Sequence, residues 1–161
     1  MTNVHQTVLL NEAVRALITN RDGTYVDCTY GRGGHSSAIA SELNADGRLL
    51  VVDRDLTAIR HARTVAKTDV LDCKFEEVDL RTAAFGEGYD VVMLLFGQLN
   101  VFPRSIAREL LSRAGTALAP GGTLILEPQL AESVRDTGEG IPTWETLDAG
   151  LFSPRPHLLL H

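Results

Sequence analysis

Cysteine, lysine and long apolar runs are all scarce in this chain of 161 residues, and each scarcity excludes something. Two cysteines, Cys28 and Cys73, are too few for a disulfide framework. No apolar run approaches the roughly 20 residues needed to span a bilayer, so no membrane partner is expected. The first residues lack the basic start and apolar core of a secretory leader, and a reducing cytoplasm is the expected location. No Gly-x-Ser-x-Gly elbow and no P-loop occurs, which disfavours hydrolase and nucleoside triphosphatase readings. His5, His61, His157 and His161 show no metal spacing with cysteines or carboxylates, so no metal is expected. Positive charge is also short: 15 basic against 21 acidic residues leave a net charge of −6, which offers no general footprint for nucleic acid. Arginine supplies thirteen of the fifteen basic residues, and its fork suits bidentate phosphate or carboxylate contacts.

What is present is an alternation of short apolar runs with helical patterns. A leader helix over residues 7–19 puts Leu10, Val14, Leu17 and Ile18 on one face. Asp22-Gly23 marks a turn, Thr24 to Thr29 reads as a strand, and the glycine-rich Gly31-Arg-Gly-Gly34 leads into a helix from Ser36 to Leu43. Arg48 to Asp53 is a continuous apolar run of the kind buried on both faces. Asp55 is placed to cap the next helix, with Leu56, Ile59 and Ala62 facing inward. Cys73 to Val78 and Asp90 to Phe96 are the third and fourth strands. Pro103 opens a helix striped by Ile106, Leu110, Leu111, Ala114 and Leu118, and Pro120-Gly121-Gly122 is expected to stop it before a fifth strand, Thr123 to Glu127. Asp136 to Pro142 reads as a loop. Thr143 to Leu147 and His157 to Leu160 are strand candidates, the last ending abruptly, as though residues that continue it were missing.

Strand and helix in this order imply a mostly parallel sheet with right-handed crossovers: an α/β, Rossmann-like three-layer sandwich forming one domain over residues 1–161. Ligands bind such sheets at the carboxyl ends of the strands. The block Asp27-Cys-Thr-Tyr-Gly31-Arg-Gly33-Gly34-His35-Ser36 lies there, with Asp53 twenty-two residues beyond Gly31. The glycines let a ligand approach the backbone, and an acid ending the second strand can accept two ribose hydroxyls. That pairing suits a dinucleotide or an adenosyl cofactor. Ser36 falls where a dinucleotide fingerprint wants Gly or Ala, and Asp27 stands where a dinucleotide fold keeps an apolar residue. A carboxylate at that depth can meet a cationic amino group or fix the loop.

His5 to Val14, Asp22 to Ser36 and Gly47 to Asp55 closely resemble the start of the bacterial small-subunit ribosomal RNA cytosine-N4 methyltransferases, over about the first 60 residues. The resemblance implies a class I methyltransferase fold and S-adenosylmethionine as cofactor, contacted by Gly33, Gly34, His35 and Asp53. Between Ala58 and Asp79 the likeness changes, and Tyr89 to Asn100, Leu118 to Glu127 and Gly150 to His157 are similar to generic class I methyltransferases. Against the family's fourth-strand pattern, Leu95 takes the Asp position and Gly97 to Asn100 its loop, with no large helical insertion following. The class places Asp79 and Leu80 at the adenine amino group, and Phe96, Gly97, Gln98 and Asn100 where substrate and cofactor meet; the alternatives are a solvated turn acid for Asp79, core packing for Phe96, and capping of the Pro103 helix for Gln98 or Asn100.

The expected chemistry is in-line displacement at a sulfonium methyl, which asks the protein for alignment and a dry cleft. No catalytic base is legible, and the [Asp/Asn]-Pro-Pro-[Tyr/Phe] loop of many amino-group methyltransferases is absent. The acidic charge favours a small-molecule acceptor. RNA is the alternative acceptor, with Arg15, Arg21 and Arg32 as its basic surface, and a non-catalytic protein retaining the fold is a third reading.

Overall fold

The computed structural model describes residues 10–65, 72–139, 144–148 and 155–160. The described residues fall into two compact units, one within residues 10–128 and the other within residues 129–160.

The first unit runs α1 (Leu10–Leu17), β1 (Thr24–Asp27), α2 (Gly34–Glu42), β2 (Arg48–Asp53), α3 (Leu56–Val65), β3 (Asp72–Glu77), β4 (Tyr89–Leu94), a single 3-10 turn (Gln98–Val101), α4 (Arg104–Ala117) and β5 (Leu118–Leu126). Its five strands are parallel in the order β3-β2-β1-β4-β5. Parallel neighbours require crossovers that cover the sheet, and the side chains divide accordingly. Tyr25, Leu49, Val51, Val91 and Met93 pack with Val14, Leu17, Ile39 and Ile59 of the first three helices on one face. Val26, Val52, Val92 and Leu94 pack with Leu110, Ala114 and Ala117 of α4 on the other. Successive strand residues enter opposite clusters because the strand period is two. Tyr25, Val26, Val51, Val92, Met93 and Leu110 have no more than traces of exposed surface, and burying each large apolar side chain stabilises by about 1.5–3 kcal/mol. Asp55 caps α3 as its position suggests, its Oδ1 accepting the Thr57 N–H at 2.7 Å.

The expected α/β layered sheet is present. α2, β3 and β4 are shifted by one or two residues from their expected bounds, β4 ending at Leu94 rather than Phe96, and three further boundaries differ. The leader helix is seen at Leu10–Leu17, residues 7–9 lying outside the described set and Ile18 and Thr19 beyond its last turn. The first strand ends at Asp27, where the chain turns under its carboxylate. β5 begins directly at the end of α4 and runs through Pro120-Gly121-Gly122, which therefore does not separate helix from strand.

In the second unit, α5 (Ala131–Glu139) occupies part of the stretch read as a loop, while residues 140–142 of that stretch lie outside the described set. β6 (Trp144–Leu147) and β7 (His157–Leu160) form an antiparallel pair with Trp144 opposite Leu160. Among the described residues no helix is long and apolar enough to cross a membrane.

Candidate functional site

β1 has β2 on one side and β4 on the other, so the strand order reverses between β1 and β4. Doubly wound sheets bind ligands at that switch, outside the carboxyl ends of the strands. The turns after β1, β2, β3 and β4 therefore build the site.

After β1 the chain is governed by Asp27, which is 1% exposed. Its Oδ1 accepts the Thr29 N–H at 2.9 Å and the Thr29 hydroxyl at 3.3 Å, and its Oδ2 accepts the Ser36 hydroxyl at 2.5 Å. Burial pushes this carboxyl above its ordinary range, and the Ser36 and Thr29 hydrogen bonds partly offset the shift. Of the two roles open to it, the structure shows Asp27 fixing the loop: it ties β1 to the first turn of α2 from beneath. Thr29 extends the tie sideways, because its Oγ1 accepts the Leu95 N–H at 3.1 Å and so fastens the end of β4.

The glycine loop lies above this support. Gly33 precedes α2 with φ +78°, and a Cβ there would strike the Tyr30 ring at 2.6 Å, so only glycine closes the turn. The Tyr30 ring is itself buried, with its hydroxyl 3.2 Å from His61 Nδ1. Gly34 and His35 open α2, where backbone N–H groups lack intrahelical acceptors. At Gly31 a Cβ would meet nothing nearer than the Thr29 carbonyl at 3.9 Å, so the outer side of the loop is open to a ligand. Asp53, the last residue of β2, accepts the Gly31 N–H on Oδ2 at 3.0 Å and the Asp55 N–H on Oδ1 at 2.9 Å. Each oxygen keeps further acceptor capacity. Thus Gly31, Gly33, Gly34, His35 and Asp53 gather at one edge.

The turn after β3 joins the same edge through the Val78 N–H, which donates to the Asp53 carbonyl at 2.9 Å. Asp79 is engaged by Arg81, whose Nε and Nη2 donate to it at 3.0 and 2.5 Å and whose backbone N–H donates at 2.9 Å. The guanidinium hydrogen bonds hold this carboxyl well below the usual carboxylate range. Leu80 is a core side chain, 6% exposed. Arg113 of α4 secures the turn, donating to the carbonyls of Ala83 at 2.5 Å, Leu80 at 2.7 Å and Arg81 at 3.1 Å while lying over the Phe85 ring.

After β4, Leu95 is buried and Phe96 is 70% exposed, which removes the core reading of Phe96. Glu127 holds this turn: its Oε2 accepts the Phe96 N–H at 3.0 Å and its carbonyl accepts the Gly97 N–H at 2.9 Å. Gln98, half-buried, begins the 3-10 turn.

Thr29, Ser36, Glu127 and Arg113 were not legible as site-forming residues. For Thr29 an Asp-x-Thr spacing, the usual side-chain-to-backbone turn signature, is the available signal. Ser36 registers in the sequence only as a poor dinucleotide match. Glu127 and Arg113 act on segments 31 and 30 or more residues away, beyond any local pattern.

Residues 2–93 match the MraW methylase family, well past the first 60 residues that carry the sequence resemblance. The ribosomal RNA small subunit methyltransferase H of Methylibium petroleiphilum is 58% identical over 71 residues, covering 44% of this chain and 22% of that protein. The enzyme of the same name from Chromobacterium violaceum is 46% identical over 101 residues, covering 60% of this chain and 32% of that protein. The chain thus spans about a third or less of the length of these relatives. Among solved structures, an S-adenosylmethionine-dependent methyltransferase from Clostridium acetobutylicum superposes with a TM-score of 0.74 at 11% identity, covering 91% of this chain and 60% of that one. An amino pentose methyltransferase from Micromonospora echinaspora does so with a TM-score of 0.62 at 19% identity, covering 91% and 66%. The fold is that of the class I methyltransferases.

Proposed function

Because the chain belongs to the MraW methylase family, we propose that it binds S-adenosylmethionine at the carboxyl edge of β1, β2 and β4 and directs methyl transfer to small-subunit ribosomal RNA. The observation that carries the cofactor reading is the Asp53 carboxylate bonded to the Gly31 N–H beside the switch in strand order. The names of the relatives support an RNA acceptor over the small molecule to which the acidic charge pointed. By the family resemblance the acceptor atom is a cytosine N4, and the place of work is the cytoplasm.

The residues present fit the cofactor. Asp53 has capacity for two ribose hydroxyls, the outer side of Gly31 is open, and the first N–H groups of α2, from Gly34 and His35, suit an anionic carboxylate. When bound, the cofactor supplies an activated sulfonium methyl. Asp27 acts through the loop, holding Thr29 and Ser36 so that the glycine turn and the start of α2 stay in register. Asp79, Leu80 and the turn secured by Arg113 border the adenine end, with the Asp79 carboxylate shared with Arg81. Phe96 and Gln98 flank the place where methyl donor and acceptor meet.

A second reading, a domain that binds the cofactor without transferring its methyl, is favoured by one observation. Leu95 stands at the family's fourth-strand Asp position and is 7% exposed, and residues 95–98 offer no titratable side chain. Calorimetric titration with S-adenosylmethionine and S-adenosylhomocysteine, followed by a methyl-transfer assay on small-subunit RNA, separates the readings. Binding with transfer is the expected result; binding alone supports the second reading, and no binding at millimolar ligand sinks both.

A further inference from the structure

All four crossovers of the parallel sheet carry an exposed arginine at the carboxyl edge: Arg32 after β1, Arg54 after β2, Arg81 after β3, and Arg104 at the start of α4 after β4. Arg81 is taken up by Asp79. Among the described residues, no hydrogen bond or ion pair engages the guanidinium of Arg32, Arg54 or Arg104, and Arg54 adds only a weaker attraction to the carboxylate that Arg81 already covers. The acids of the same edge are held against backbone: Asp53 accepts the Gly31 and Asp55 N–H groups, Asp55 the Thr57 N–H, and Glu127 the Phe96 N–H. The opposite edge differs. Arg21, before β1, pairs with Glu42 at 2.5 Å, and Arg48, opening β2, stands 3.8 Å from Asp72. Arg21, expected beside Arg32, is thus at the far end of the strand and already neutralised. The three unpaired arginines also straddle the crevice. β2, β1 and β4 are consecutive in the sheet, with neighbours about 4.8 Å apart. The helices that Arg32 and Arg54 precede, α2 and α3, cover one face, and α4, which Arg104 opens, covers the other.

Building on the methyltransferase reading above, we propose that Arg32, Arg54 and Arg104 grip phosphates of the acceptor RNA on either side of the nucleotide to be methylated. The guanidinium fork suits phosphate, and such contacts fix the strand's register on the protein without reading its bases. They reconcile a chain of net charge −6 with a polyanionic acceptor, because the attraction is confined to the edge where transfer takes place.

The test uses the full chain saturated with S-adenosylhomocysteine and a short fluorescein-labelled single-stranded RNA, titrated by anisotropy at several salt concentrations. Arg32→Gln, Arg54→Gln and Arg104→Gln should each weaken RNA binding about threefold or more and make the dependence of log affinity on log salt shallower by about 0.7, the counterion release of one contact on a single strand. The triple variant should lose all of these increments, while Arg32→Lys, which keeps the charge, should retain the slope. Arg21→Gln, at the opposite edge, is the control and should change neither. Unchanged affinity and slope in the triple variant overturn the proposal, as does an equal loss in Arg21→Gln. So does a matching loss of S-adenosylhomocysteine affinity, which assigns the arginines to the cofactor, and so does wild type that binds no RNA. Arginine-dependent RNA binding without methyl transfer would sink the enzymatic reading and leave the phosphate grip standing; transfer to RNA by the triple variant at the wild-type kcat/KM would do the reverse.

Discussion

The Thr29 hydroxyl accepts the Leu95 N–H at 3.1 Å, so one side chain from the turn after β1 fastens the turn after β4. Leu95 is 7% exposed, and its N–H has little access to water as a substitute acceptor. Thr29→Val, nearly isosteric, should therefore cost about 1–3 kcal/mol, the usual penalty for a buried donor left unpaired. Urea denaturation measures it directly. An unchanged midpoint would mean that the two turns are held together by packing alone.

Asp27 makes stability depend on pH in an unusual direction for an acid. Its folded-state affinity for the proton is raised by burial, so its contribution is fully present below the unfolded value near pH 4 and is lost as pH rises through the raised folded value. Asp27→Asn keeps an acceptor for the Thr29 N–H and a donor for Ser36, and should flatten stability across that window. Parallel curves for wild type and variant, from pH 4 upward, would count against a buried carboxylate here.

Gly33→Ala should destabilise by at least about 1–2 kcal/mol, the cost of left-handed backbone in a residue with a Cβ. The methyl group must also displace the Tyr30 ring. Cofactor affinity should fall with stability, since the same turn precedes α2. A variant as stable as wild type, read by thermal unfolding, would show that the turn has another conformation of similar energy.

Asp53→Ala tests the cofactor site without touching the core. Losing the carboxylate removes the acceptor of the Gly31 N–H and the capacity for ribose hydroxyls, and should weaken S-adenosylhomocysteine by about 1–3 kcal/mol. Unaltered affinity in calorimetry would place the ribose elsewhere on the edge.

The parts of this molecule that were legible in sequence are those where a local pattern and the tertiary environment agree. Arg48 to Asp53 reads as a strand buried on both faces, and β2 has those bounds. The glycine turn and Asp53 likewise announce themselves, because a positive φ needs glycine and a strand-end acid has a fixed place in the topology. The start of β5 fails for an identifiable reason. Pro120 and Gly121 are helix stoppers, but β5 lies at the end of the strand order, where proline's missing N–H is tolerated. The register moves from Tyr89 opposite Leu118 to Val91 opposite Thr123, leaving Pro120 and Gly121 in an irregular stretch. α5 escaped because residues 131–136, Val134 among them at 46%, are exposed and so show no apolar stripe turned to a core, while Gly138 in its sequence is a stop signal. The outward turn of Phe96 is set by Glu127, thirty-one residues away, and no window of sequence around Phe96 contains that partner.

The central strand has a consequence for how the protein comes into being. Val26 pairs with Leu50 on one side and with Val92 on the other. One neighbour leaves the ribosome shortly after β1; the other follows only after two further strands have been made. Contacts so distant along the chain form late and slowly. The glycine turn and Asp53 can be laid down early, but the Leu95 side of the crevice cannot exist before β4 docks. The nascent chain should therefore acquire ligand affinity in a single late step rather than gradually as it lengthens.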